Sequence, residues 1–433
     1  MATLALYRAA TALAAPGIDA FLYWRRLTGK EDAVRFAERR GIASRARPEG
    51  KLVWVHGASV GEAQSALTLI ERLTAILPEA SVLVTTGTVS SAQLLAERLP
   101  ERAFHQFVPV DRRPWVRAFL AHWRPSLALW IESELWPNLV LETAARGIPM
   151  VLVNARMSDR SFANWRRWPG VSGPLLERFR RVLAQSELDG TRFRSLGAAD
   201  VVVTGSLKYD AATLPVDAHE LARLAHAIGH RPRWLAASTH AGEEVLVIDA
   251  ALRLKAQHRQ LLTVLVPRHP ERGGEIRELL SAHGLAVASR SLGETVAAAT
   301  DVYLADTMGE LGLFFGLSPI VFMGGSLIPH GGQNLLEPAR FGCALLHGPY
   351  VANFRAIAAE LAAAGASEEV KDAASLAAAL GRLIADEGMR VRRGAAAKRV
   401  AEAGRGVLDA VIASLAPELA PLETPRETRL ASA

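Results

Sequence analysis

A carboxylate that follows a strand and two glycines can take a proton, and the stretch His56-Gly-Ala-Ser-Val-Gly-Glu62 has that form. The apolar run Leu52–His56 leads into it, and a helical pattern begins at once on its far side. Glycines at 57 and 61 allow a tight turn and the close approach of another molecule. Glu62 then falls in a first helical turn, where the helix dipole favours the ionised form. An ionised carboxylate there suits a general base at neutral pH. The same acid could simply steady the helix, and the motif alone leaves both readings open. The spacing is not Gly-x-Gly-x-x-Gly, so no dinucleotide site is indicated.

Other strand ends carry similar groups. Glu132 and Glu134 in Trp130-Ile-Glu-Ser-Glu-Leu-Trp-Pro137 are placed to orient an acceptor or stabilise a developing positive charge, or else to cap a helix. Asn154-Ala-Arg-Met-Ser-Asp-Arg-Ser161 reads either as a loop for an anionic acceptor or as a solvated loop. Lys208 in Thr204-Gly-Ser-Leu-Lys208 can neutralise a phosphate or carboxylate. In the second half, Arg268 of Val266-Pro-Arg-His-Pro-Glu271 can clamp a phosphate with two parallel bonds, and His269 adds a donor. Asp306-Thr-Met-Gly-Glu-Leu311 and Phe322-Met-Gly-Gly-Ser326 follow. Then comes His330-Gly-Gly-Gln-Asn-Leu-Leu-Glu-Pro338, where paired glycines before a helix offer backbone N–H groups to a phosphate. Glu337, one turn on, can accept from ribose hydroxyls, so this stretch reads as a nucleotide-sugar site. No Asp-x-Asp occurs, so no catalytic metal is expected.

These groups need scaffolds. Short apolar runs alternate with helical patterns from residue 51 onward, first at 52–56, 82–86, 127–131, 150–154, 182–185 and 201–204. A second series lies at 234–237, 262–266, 286–288, 302–304, 320–323 and 344–347. Continuous apolar runs fit parallel strands covered on both faces, and two series imply two doubly wound α/β domains. We expect a leader and basic segment at 1–47, an N-terminal domain at 48–210, and a C-terminal domain at 211–416 closed by helices at 375–385 and 395–415. A disordered tail is expected at 417–433. Two such domains facing each other would enclose a cleft at their strands' carboxyl ends.

Composition narrows the function classes. Half of the 433 residues are hydrophobic, and Cys343 is the only cysteine, which favours a reducing compartment. The net charge of +6 is concentrated at the start, where residues 1–47 hold nine Lys/Arg against four Asp/Glu. That is no basic shell of the kind nucleic-acid binders carry. An apolar leader over 1–24, interrupted by Arg8 and Asp19, precedes Arg25, Arg26, Lys30 and Arg35. It reads as a membrane anchor or interfacial helix, with a packed helix or a signal peptide as alternatives.

Taken together, WVHGASVGE, IESELWPN, NARMSDRS, TGSLKYD, VPRHPER, DTMGELG and HGGQNLLEP resemble, in order and spacing, the 3-deoxy-D-manno-octulosonic acid (Kdo) transferases of lipopolysaccharide synthesis. The resemblance covers most of residues 1–410. It implies a GT-B fold of two Rossmann-like domains, CMP-Kdo as donor, a lipid A precursor as acceptor, and inverting transfer without a metal. It also implies a place on the cytoplasmic side of a bacterial inner membrane. By motif, Glu62 matches the family's proton acceptor, and Glu132 and Lys208 match residues that stabilise the transition state. Arg268, His269, Met308, Gly309, Glu310, Asn334, Leu335, Leu336 and Glu337 fall on the CMP-binding motifs. A sugar-nucleotide epimerase of the same fold, or a nucleotide-binding protein without chemistry, are the alternatives.

Overall fold

The computed structural model of the chain describes residues 2–210 and 213–423. It divides into two compact units, one of residues 1–211 and 406–433 and one of 212–405. Each is built on a seven-stranded sheet in which every registered pair is parallel.

The first sheet consists of β1 (Leu52–His56), β2 (Ser81–Thr86), β3 (Ala103–Phe107), β4 (Leu127–Ile131), β5 (Met150–Ala155), β6 (Arg181–Ala184) and β7 (Val201–Val203). Its order is β3-β2-β1-β4-β5-β6-β7. The alternation of side chains along a strand sends Val53 and Val55 into one core and Leu52 and Trp54 into the other, all wholly buried. That two-sided burial is why the runs are apolar throughout. The direction of strand addition reverses between β1 and β4, where His56 pairs with Trp130. Ligands of such sheets bind at this switch point, beyond the carboxyl ends.

The second sheet consists of β8 (Arg233–Thr239), β9 (Leu262–Pro267), β10 (Val287–Ser289), β11 (Val302–Leu304), β12 (Ile320–Met323), β13 (Ala344–His347) and β14 (Ser367–Glu369). Its order is β10-β11-β9-β8-β12-β13-β14, with the switch between β8 and β12. Ala236, Val264's neighbour Leu265, Phe322 and Leu346 are among the buried residues of its core.

Three expectations change. The helix expected over 395–415 is two helices, Glu387–Ala403 and Val407–Leu419, because Gly404 and Gly406 interrupt the ladder. The second of them does not close the C-terminal domain: Val407, Val411 and Leu415 pack in the core that holds Val53 and Leu69. Nor is the chain irregular from Pro417, since that helix runs to Leu419 and a turn follows at Ala420–Leu422. The remainder of the expected tail, 424–433, lies outside the described residues.

The leader forms two helices, Ala2–Leu13 and Ala15–Leu27, with Pro16, which has no N–H to donate, at the break. No helix among the described residues is long and apolar enough to cross a membrane. One side is tied to the first unit: Tyr7 donates to Asp111 at 2.8 Å, and Asp19 pairs with Arg112 at 2.9 Å and Arg40 at 3.0 Å. Leu4 and Leu22 are buried, while Leu13, Phe21, Trp24 and Leu27 are exposed. The basic cluster is partly engaged within the protein, with Arg25 on Glu31 and Arg35 on Glu38.

Candidate active site

The first switch point gathers the acids found in the sequence. Ser59 caps the helix Val60–Ile76, its hydroxyl accepting the Glu62 N–H at 3.3 Å. The Glu62 carboxylate folds back and accepts the Ala58 N–H. Gly57 leaves room for this, as a Cβ there would come 3.1 Å from Glu62 Cβ. Glu62 is only 8% exposed. Burial, and then the charge of Glu132, push its pKa up to about 7. The helix dipole alone predicts the opposite direction, an acid held ionised. Desolvation outweighs it, and the acid is poised near neutrality rather than fully ionised.

Glu132 sits immediately beyond β4 with φ at 63°, a left-handed backbone that non-glycine residues seldom adopt. Its N–H still donates to Val153 O at 3.0 Å, so the twist is fixed by β5 alongside. Glu134, raised in pKa by burial, accepts from Trp136 Nε1 at 2.9 Å. Lys208 follows β7. Burial lowers its pKa, while Glu132 and Glu62 act to raise it and Arg156 to lower it. Glu62, Glu132 and Lys208 therefore share one electrostatic neighbourhood, with Arg156 of the Asn154–Ser161 loop beside them.

Asn154 is a positioning residue that the sequence did not single out. Wholly buried at φ 55°, it accepts the Leu207 N–H on Oδ1 at 3.0 Å and so holds the segment that carries Lys208. Tolerance of asparagine for positive φ at a strand end was the signal available.

In the second unit, Arg268 and His269 follow β9 and are exposed, with the Arg268 N–H on Thr239 O at 2.9 Å. Met308 is exposed and Gly309 adopts φ 83°. Glu310 is already held by Arg290, whose Nε lies 2.6 Å from it, and this pairing lowers its pKa. It anchors the loop more than it offers a free carboxylate. Asn334 accepts the Leu336 N–H at 3.1 Å and donates to Glu337 at 3.3 Å.

Leu335 and Leu336 are wholly buried, so their side chains face core and only their backbone could meet a ligand. The paired glycines also differ from expectation. Gly331 and Gly332 have φ of 102° and 77°, and the Gly332 N–H is used by Gly325 O at 2.8 Å. A Cβ on Gly331 would come 2.5 Å from Asn353 Nδ2. These glycines shape a crowded loop, and the helix after them, Leu336–Arg340, is a single short turn. Among the described residues, no group of three or more His, Cys, Asp or Glu is placed to hold a metal.

A sequence profile of the family described as 3-Deoxy-D-manno-octulosonic-acid transferase (kdotransferase) matches residues 34–211. The 3-deoxy-D-manno-octulosonic acid transferase of Rickettsia bellii is 36% identical over 371 residues, covering 86% of this chain and 88% of that one. The chain belongs to the Kdo transferase family. It is a Kdo-transferring glycosyltransferase of lipopolysaccharide synthesis. Its fold is shared more widely. A glycosyltransferase from Rickettsia africae superposes with a TM-score of 0.58 at 11% identity, over 86% of this chain and 99% of that one. The UDP-GlcNAc 2-epimerase of Neisseria meningitidis gives 0.57 at 13% identity, over 85% and 100%. Such likenesses establish the GT-B architecture, while the 36% identity separates this transferase from the epimerase alternative.

Proposed function

We propose that the enzyme transfers Kdo from CMP-Kdo to the 6′-hydroxyl of a lipid A precursor, lipid IVA, with inversion and without a metal. The observation that carries this reading is Glu62, a buried acid with a pKa near 7 beside Glu132 and Lys208. In the ionised form, Glu62 takes the acceptor hydroxyl proton as that oxygen attacks the anomeric carbon. The bond from that carbon to the phosphate oxygen breaks, and its electron pair leaves with CMP. Glu132 stabilises the positive charge that develops on the sugar, and Lys208 the negative charge on the phosphate. Arg268, His269, the Met308–Glu310 loop and Asn334–Glu337 hold CMP in the second unit, and the first unit serves the acceptor.

Attachment to the cytoplasmic face of the inner membrane would use the exposed Leu13, Phe21, Trp24 and Leu27 beside Arg26 and Lys30. Mass analysis of the product formed from CMP-Kdo and lipid IVA tests the whole reading. A lipid heavier by one or more Kdo residues is expected. Absence of transfer, or tighter binding of UDP than of CMP, would overturn it.

A further inference from the structure

One buried titratable group at the second switch point has no part in that reaction scheme. His240 follows β8 and is 7% exposed. It bridges the two segments to which CMP binding is ascribed. Its ring lies 3.8 Å between centroids from His330 on one side and 5.7 Å, edge-on, from His269 on the other. Gln333 Nε2 approaches His240 Nε2 at 3.1 Å. The backbone around it is shaped for close packing: Ser238 lies at φ 57°, and a Cβ on Gly325 would come 3.1 Å from His240 Cδ2.

The groups facing this ring are mostly cationic or basic. Arg268, Arg272, His269 and His330 all disfavour a proton on it. Glu243 accepts the His240 backbone N–H at 3.4 Å, but its oxygens also take the N–H groups of Gly325, Ser326 and Leu327. Burial first, then those neighbours, hold the His240 pKa at about 4, so the ligand-free ring is neutral near pH 7. An anion set among the same groups would reverse the field.

We propose that His240 is the proton-linked ligand of the donor phosphate: when a phosphodiester binds, His240 takes one proton from solvent and the imidazolium pairs with the phosphate. The inference rests on the second unit being the CMP-Kdo site. Gln333 suits both states, because a side-chain amide can present its nitrogen to a neutral ring or its oxygen to a protonated one. When the sugar–phosphate bond breaks, the electron pair passes to a phosphate already facing a cation. The proton returns to solvent as CMP departs.

Cytidine 5′-(methyl phosphate), a diester whose single charge does not titrate near neutrality, is the probe. Calorimetry of the full chain in two buffers of different ionisation enthalpy measures protons taken up per probe bound. At about pH 6.5 the parent enzyme should take up close to one proton, and its affinity should fall by up to about tenfold per pH unit. His240→Gln should bind more weakly and take up none. Gln333→Glu, which gives the ring an acceptor before the probe arrives, should keep the imidazole yet lose most of the uptake. This second variant decides the matter if His240→Gln has lost the native thermal midpoint. Binding without uptake in the parent enzyme overturns the proposal and leaves the donor site standing. Uptake that survives in His240→Gln assigns the proton to His269 or His330 and overturns it too. No binding of the probe to the parent enzyme removes the donor-site reading itself, and this inference with it.

Discussion

Glu62 and Glu243 occupy matching places in the two sheets, each just past the central strand at which the order reverses and at the start of a helix. Both are buried. The Glu62 carboxylate is held by the Ala58 N–H and the Ser59 side chain, whereas Glu243 receives four backbone N–H groups, from His240, Gly325, Ser326 and Leu327. A proton on Glu243 would cost at least one of those bonds. A proton on Glu62 is favoured first by burial and then by the neighbouring Glu132, against the bonds from Ala58 and Ser59. Topology puts an acid at each switch point and burial raises the pKa of both; at Glu243 four backbone donors oppose that rise, at Glu62 Ala58 and Ser59 do. The first is the proposed base, and the second is a rivet for the Gly324–Leu327 turn.

The sharpest way to break this contrast is to neutralise each acid in turn. Glu62→Gln should lower kcat by about 10²–10⁴-fold, as loss of a positioned base does. It should leave CMP binding within about threefold of the parent by calorimetry, since it removes no group from the CMP site. Glu243→Gln turns an amide NH₂ toward N–H donors and should lower the thermal midpoint by several degrees, equivalent to roughly 2–4 kcal/mol. A destabilised Glu62→Gln beside an unaffected Glu243→Gln would invert the assignment.

The pH dependence is next in size. Transfer should rise with pH through about 7, as Glu62 ionises. Glu132→Gln removes a like charge and should move that limb to lower pH, though by less than the full shift because burial is the larger cause. The same raised pKa acts on stability. Glu62 is protonated in both folded and unfolded protein below about 4.5, and the stability it contributes there is lost as pH rises through about 7. At pH 8, Glu62→Gln should therefore be more stable than the parent, by roughly 1–3 kcal/mol. Equal midpoints from pH 5 to pH 8 would show that the acid is not desolvated.

The smallest effects come from the glycines beneath each acid. A Cβ on Gly57 meets the Glu62 side chain at 3.1 Å, whereas one on Gly324 meets Ser238 O at 2.7 Å. Gly57→Ala should cost activity, about tenfold, through displacement of the proposed base. Gly324→Ala should instead cost stability, roughly 1–3 kcal/mol, because a backbone carbonyl cannot yield as a side chain can.

What the sequence revealed follows the same physics. Central strands such as β1 and β9 are legible because both faces are buried and every residue is apolar or nearly so. β3, with His105 and Gln106 within it, and β14, with Glu368 and Glu369, are edge strands whose polar residues hide them. Glu62, Glu132 and Lys208 were visible as charged residues just past strand ends. His240 was not, although Thr239-His-Ala-Gly-Glu243 repeats the logic of the first turn, because no apolar contrast marks a single buried histidine after a strand. The direction of the Glu62 pKa is hidden in the sequence for a related reason, since desolvation depends on walls that lie far away along the chain.

The helix Val407–Leu419 sets an order on the chain's synthesis. It follows the whole second unit in the chain, yet its Val411, Leu415 and Leu419 complete the first core, and Asp210 accepts the Gly406 N–H at 2.9 Å. On the ribosome, residues 212–405 are present in full before the first unit has its last helix. The half of the enzyme that starts first must finish last. A nascent chain halted after Arg405 would carry a second unit with its sequence complete beside a first core still open along one side, a form that quality-control factors would recognise by its exposed valines and leucines.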